Sequence, residues 1–500
     1  MNNSLGYRTL KSMIWGYIGK FLEFSLAGIF SIIVGRKLGP AIYGHYNLFI
    51  SIISTFILFS SFGLDAILNK FIPQLAVRQE SPRAYALFLR MFYLRLLVTL
   101  FFCIILFFSR AFLASFFLED TISQYFFFFV AIFILIAVQN IPISVFNSLL
   151  KLKEIAIVRA VSQSVGLITV VFLFYFFEPS IKSVFQSVVF YNLIFTVIIF
   201  VFSLNLFNKL NKVSKLEVKN YLSFGLSVWE ISLLTYAIST TLNILLMSKV
   251  TKDPFQIGLY STAILFTYLP GNLISSWAGI MLPSLSEVKA KYGVSGISQA
   301  FISFSKVIFF MLIPMLFFLM RYADVLVHSL FGEDFIQSVL LIQIFAFFNI
   351  FSTFFAPNLG LNTLYAIDKE KIVVQIRLLA GLLNIVLVLL FAIFYKALGV
   401  MIASCIVIVF INVAEFIVVK KSVHSRYPFM YLFKILMSST VGLLLICWFP
   451  VKNLLTLIAI GIVYLIIIFV IFYFIKLLNK EDREFLIRMH PALAAIVKYF

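Results

Sequence analysis

The sequence predicts an all-α polytopic membrane protein of about fourteen transmembrane helices, two pseudo-symmetric six-helix lobes plus two C-terminal helices. Three observations carry this. Hydrophobic residues fill 63% and charged residues only 12% of the 500 positions, against roughly 45 to 50% and 25% in an ordinary globular domain. The apolar residues come in runs of about 20, the helical length that crosses roughly 30 Å of hydrocarbon. The runs are apolar on every face, whereas a transmembrane β-strand alternates apolar with polar, so helices are the spanning form that fits.

The first six spans fall at about 12–34, 46–66, 85–108, 125–149, 155–177 and 184–206. Six more follow at about 222–247, 257–282, 302–320, 339–359, 372–395 and 398–419, and two further ones at 432–448 and 454–477. Residues 1–206 form a first lobe, 207–221 a linker, 222–421 a second lobe, 422–478 the two extra spans and 479–500 a tail. The first run is too long for the apolar region of a signal peptide and lacks a cleavage site, so it is expected to remain as the first span.

Charge sets the orientation. With the N-terminus inside, the cytoplasmic segments hold 23 of the 39 Lys and Arg residues, the opposite loops nine and the spans seven, as the positive-inside rule requires. Both termini are then cytoplasmic. The net charge of +19 therefore belongs to membrane topology. A nucleic-acid partner is not expected, because no basic and aromatic module stands clear of the spans. Cys103, Cys405 and Cys447 lie singly inside apolar runs and suggest neither disulfides nor a metal site.

The longest cytoplasmic connection reads NLFNKLNKVSKLEVKN. Leu206, Leu210 and Val213 share one helical face, and Lys209, Lys212, Lys215 and Lys219 the other. That pattern suits a helix resting on an anionic leaflet, and an irregular basic loop fits equally. An internal repeat supports division at this point. Pro40, Gly44 and Tyr46 recur as Pro254, Gly258 and Tyr260, each 214 residues on. Pro73 is echoed by Pro283, and Glu23 in EFSL by Glu230 in EISL. Parallel repeats of this kind imply alternating access at a site shared by the halves.

Enzyme signals are absent from the sequence: no Gly-rich phosphate loop, no HExxH, no paired carboxylates, and four histidines dispersed in loops or termini. No connection is long enough for a soluble catalytic domain. The informative residues are ionisable groups inside spans, which cost roughly 2.5 to 3.5 kcal/mol each at the bilayer centre and usually face a cavity or a partner. Lys20 and Glu23 lie near mid-membrane, about one turn apart on the first helix; they read as a functional pair or as a mutually neutralised ion pair. Glu230 occupies a similar depth in the seventh span and is a candidate for ion coupling, with an interhelical hydrogen bond as the alternative. Arg90 and Arg95 lie in the cytoplasmic half of the third span, Arg95 the deeper. Arg159, Lys306, Arg377 and Lys434 start further from the centre, where long side chains snorkel to the interface; together they could form a basic funnel. Pro142, Pro270 with Gly271, and Pro314 mark expected kinks.

GRKLGPAIYGHYNLFISI followed by SSFGLDAILNKFIPQL resembles the start of the polysaccharide-repeat flippases, the Wzx group of the multidrug/oligosaccharidyl-lipid/polysaccharide superfamily. GLYSTAILFTYLPGNLISSWAGIMLPSLSE resembles that family's seventh-to-eighth span region, and NIVLVLLFAIFYKALGVMIASCI a later hairpin. The small pair usual after that hairpin loop is reduced here to Gly399, with Ala403 and Ser404 further along. The resemblance implies twelve core helices plus two, and translocation of undecaprenyl-diphosphate-linked oligosaccharide from the inner to the outer leaflet of the bacterial cytoplasmic membrane for O-antigen, capsule or exopolysaccharide. Partners would be that lipid-linked oligosaccharide, membrane lipids, and the polysaccharide polymerase and chain-length machinery. No cofactor is expected; coupling to H+ or Na+ through Glu23 or Glu230 stays open. Lys20, Arg95, Arg90, Arg159, Lys306 and Arg377 are the cationic candidates for the diphosphate. The alternatives are a multidrug or cation antiporter of the same superfamily, which predicts an acidic cavity, and a membrane glycan polymerase or ligase, which predicts a large outer loop.

Overall fold

The computed structural model describes residues 5–78, 80–117, 123–207, 219–423 and 427–475, and the regular structure among them is helical throughout. Nine of these helices are long and apolar enough to cross a membrane, or ten when the bent pair Tyr221–Tyr236 and Thr240–Thr251 is taken as one span. Several hold two spans end to end. Leu5–Phe59 is interrupted at Gly39 (φ 77°, ψ 170°), Pro254–Leu330 at Gly293 (φ 68°, ψ −159°) and Glu370–Val423 at Lys396 (φ 50°, ψ −130°).

Divided at those residues, the helices fall in order on the expected spans. Residues 5–38 and 40–59 hold the first two, and Ser81–Phe117, Phe126–Ser148, Leu152–Phe176 and Ile181–Phe207 the third to sixth. The bent pair is the seventh, 254–292 and 294–330 the eighth and ninth, and Ser338–Thr353 the tenth. Residues 370–395 and 397–423 are the eleventh and twelfth, with Phe429–Ile446 and Leu454–Ile475 the last two. The protein is multi-pass. Its outer faces carry Phe127 at 85% and Leu455 at 79% exposure, tolerable only where lipid replaces water as the solvent. The expected basic linker lies mostly outside the described residues, as does the tail.

Three spans expected to be continuous are broken. The second stops at Phe59 and restarts as Leu64–Val77 after Phe62 and Gly63 take positive φ (44° and 67°). The seventh bends by 52° at 237–239, where the Ser239 hydroxyl accepts from the Leu242 N–H at 3.2 Å. The tenth ends at Thr353, passes Ala356 and Asn358 at positive φ, and resumes as the short helix Leu359–Ala366. Ser60, Ser61 and Gly63, Ser239 to Thr241, and Pro357 with Asn358 mark these breaks locally, but a hydropathy window of span length averages them away among apolar neighbours.

The chain divides into two compact units, Met1–Gly258 and Leu259–Phe500. In the first, the first span packs on the fifth, the fourth on the sixth, and the second and third on the fourth. In the second, the eleventh–twelfth hairpin packs on the tenth span and on Leu359–Ala366. The last two helices pack on each other and join the same core: Tyr464 stacks on Phe318 of the ninth span with ring centroids 5.6 Å apart.

Two structural repeats are visible within these helices. Gly44 lies against the Pro254 carbonyl and Gly258 against the Pro40 carbonyl, so the residues that recur in sequence are those that cross in space. The turns before the fifth and eleventh spans are copies. Leu150 and Asp368 take φ of 57° and 59°, and the Lys151 and Lys369 N–H groups donate to the Phe146 and Leu364 carbonyls, each at 2.9 Å. The helices beginning at Leu152 and Glu370 follow directly.

Candidate functional site

The first and fifth spans lie close together because the first offers small residues along one face. A Cβ added at Gly16 would stand 2.9 Å from Leu152 Cδ1, and one at Gly19 would stand 2.6 Å from Ala156 Cβ. Such small residues let helix backbones approach within a bilayer, where the hydrophobic effect supplies no attraction between helices. One turn further along, this seam delivers an ion pair: Arg159 Nη1 donates to Glu23 Oε1 at 2.5 Å. The guanidinium also lies over the Phe195 ring of the sixth span, 5.6 Å from its centroid. Both partners keep open side-chain surface, 31% for Arg159 and 35% for Glu23. Lys20, which helical spacing suggested as the partner of Glu23, is exposed and makes no ion pair among the described residues.

The second unit holds a related pair in a different setting. Arg377 Nη2 donates to Glu415 Oε1 at 2.6 Å across the eleventh–twelfth hairpin. Here Glu415 keeps only 2% of its surface and Arg377 21%. The carboxylate also accepts the Leu361 backbone N–H at the start of Leu359–Ala366, and Gly360 is packed against its Cβ. Asn412, one turn earlier on the same helix, donates to Ser352 Oγ at 2.6 Å. The twelfth span thus supplies polar groups to both sides of the break in the tenth. This is the usual way interrupted backbone is accommodated at membrane depth.

Arg95 is fully buried. Its Nη1 donates to the Ser60 carbonyl at 2.5 Å, where the second span breaks, and its Nε to the Ala137 carbonyl at 2.9 Å, one residue before the carbonyl that Pro142 leaves without its helical donor. Asp65, just past the break, is near enough to feel its charge. The other cationic candidates are less enclosed. Arg90 is half-buried, and Lys306 is half-buried with its ammonium 5.5 Å over the Tyr431 ring. Glu230 is exposed on the first half of the seventh span, beside Trp229, whose indole N–H donates to the Leu58 carbonyl at 2.9 Å.

Glu415 was not among the sequence candidates, although it is an acid inside an apolar run and the cost argument that selects Glu23 selects it too. The relation of Arg159 to Arg377 was also missed. Both are the eighth residue of their helix, and Lys151, Lys153 and Arg159 recur 218 residues on as Lys369, Lys371 and Arg377. That signal is present in the sequence as K-x-K-x5-R, masked by dissimilar apolar residues between.

Comparison with known proteins bears on this arrangement. A family model described as polysaccharide biosynthesis protein matches residues 33–340. No curated protein matches the chain in sequence. Among solved structures, the chain is similar to the lipid II flippase MurJ in an inward-closed conformation, with TM-score 0.70, 18% identity, and coverage of 92% of this chain and 99% of that one. It is also similar to an inward-facing multidrug resistance MATE family transporter, itself of the MOP superfamily, with TM-score 0.67, 13% identity, and coverage of 82% of this chain and 98% of that one. At these identities the likeness shows a shared transporter fold.

Proposed function

Because the chain belongs to the polysaccharide biosynthesis protein family, we propose that it is a flippase that carries polyprenyl-diphosphate-linked oligosaccharide repeat units from the cytoplasmic to the outer leaflet of the bacterial cytoplasmic membrane. The observation that carries this reading is the charge inside the spans. Lys20, Arg90, Arg95, Arg159, Lys306, Arg377 and Lys434 outnumber Glu23, Asp65, Glu230 and Glu415, so the membrane-embedded part of the protein is net cationic. A diphosphate bearing hydrophilic sugars is nearly insoluble in hydrocarbon and needs a wet cationic path, while its polyprenyl chain stays in lipid. A carrier of cationic drugs would need the opposite surplus. Lys20 and Arg159 are the groups assigned to the headgroup, since both present surface at membrane depth. Glu230, exposed in the seventh span, is assigned to coupling with H+ or Na+.

No bond is made or broken in this reading, and no ATP is needed. Moving one charge through 100 mV is worth about 2.3 kcal/mol, so an anion leaves a negative interior downhill. Deletion tests the proposal. Cells lacking the protein are expected to accumulate unpolymerised lipid-linked repeat units on the cytoplasmic leaflet with drug sensitivity unchanged. Intact surface glycan together with sensitisation to cationic drugs would replace it with an antiporter.

A further inference from the structure

The two copies of the K-x-K-x5-R segment place an arginine at the same position of equivalent helices, and each arginine meets a carboxylate from a different partner helix. The settings diverge. Glu415 is enclosed, accepts a backbone N–H as well as the guanidinium, and bridges a broken span. Glu23 has no such second role: about a third of its surface is open, as is a third of that of Arg159. An ion pair held at membrane depth with that much open surface faces a wet space, because lipid contact would be costly for both charges.

From this asymmetry we infer that Glu23 is an exchangeable internal counter-ion of Arg159, displaced by the substrate's diphosphate, whereas Glu415 is the permanent partner of Arg377. The inference rests on the flippase reading and deepens it by assigning one diphosphate subsite to the seam of the first, fifth and sixth spans. Three features suit the role. The guanidinium fork matches a phosphate in bidentate fashion better than it matches a single carboxylate oxygen. The Phe195 ring, its centroid 5.6 Å from the guanidinium carbon, supplies a cation–π neighbour that does not compete with a ligand for the N–H groups. Lys20, one turn below Glu23 and without an ion pair among the described residues, adds a second positive charge that an arriving diphosphate can meet. When the diphosphate leaves, Glu23 returns to Arg159, so the empty site never exposes an uncompensated cation and the substrate is not held too tightly to be released.

The test measures binding of farnesyl diphosphate, a short polyprenyl diphosphate without sugar, to the purified full-length protein in lipid nanodiscs. Glu23→Gln removes the competing charge and keeps the arginine, so it is expected to tighten Kd about tenfold. Arg159→Lys, which keeps the charge and loses the fork, is expected to weaken it about tenfold. Glu415→Gln is expected to leave Kd in place and to lower the melting temperature instead. A structural cross-link predicts the opposite sign for Glu23→Gln: a lower melting temperature with Kd unchanged or weaker, and that result overturns the inference. Failure of the wild-type protein to bind farnesyl diphosphate overturns it too. The flippase reading is judged separately by whether the same variants, expressed in deletion cells, restore surface glycan.

Discussion

Gly44 and Gly258 each lie against the backbone of the helix start that bears the other, Gly44 at the Pro254 carbonyl and Gly258 at the Pro40 carbonyl. A side chain at either position would collide with main chain, which cannot swing aside as a side chain can. Gly44→Ala and Gly258→Ala are each expected to cost about 3 kcal/mol, the upper end for overpacking. Gly28→Ala, with no atom within 4 Å of the added Cβ, is expected to be neutral or to stabilise by up to about 1 kcal/mol. Thermal melts of the solubilised proteins check the contrast.

Arg95 has become a clamp. Loss of its guanidinium leaves the Ser60 and Ala137 carbonyls without that donor in a buried place, at about 1.5 to 3 kcal/mol for each charged hydrogen bond. Arg95→Met is therefore expected to lower both the melting temperature and the yield of inserted protein. Unchanged stability with lost export would return Arg95 to the substrate path.

The two ion pairs are expected to differ when broken. Arg377→Ala strands Glu415 in a closed site and is expected to destabilise by about 3 to 5 kcal/mol. Arg159→Ala leaves Glu23 partly solvated and is expected to cost about 1 kcal/mol or less. Chemical or thermal denaturation of both variants under one condition gives the comparison.

Much of the architecture was legible because bilayer thickness imposes one length on every span. The run 12–34 became part of 5–38 and the run 372–395 part of 370–395 on that ground alone. The recurrence of Pro40 and Gly44 was legible as well, and its cause is a backbone crossing that only glycine permits. The breaks at 60–63, 237–239 and 354–358 were not read, because Ser60, Ser61, Ser239 and Asn358 are short polar signals within long apolar runs and tertiary contacts such as the Arg95 bond to Ser60 stabilise the broken form. The Lys20–Glu23 pairing failed for a related reason. Helical spacing names neighbours on one helix, but the close seam built by Gly16 and Gly19 brings Arg159 of another helix within reach.

Orientation is open to a direct check. The bias of 23 basic residues to nine predicts that reporter fusions after Asp120 and after Glu217 lie on opposite sides, the first outside and the second in the cytoplasm. The same side for both contradicts the assignment.

The central claim is that this protein moves a lipid-linked anion between leaflets. The measurement that tests it most directly uses liposomes holding the purified protein and a fluorescent polyprenyl-diphosphate oligosaccharide, with a glycan-cleaving enzyme added outside. Without ATP, the inner-leaflet half of the label is expected to become cleavable, faster when a potential makes the starting side negative, by the roughly 2.3 kcal/mol per charge that 100 mV supplies. Cleavage that stops at the outer-leaflet half, with and without the potential and no different from protein-free liposomes, would contradict the account.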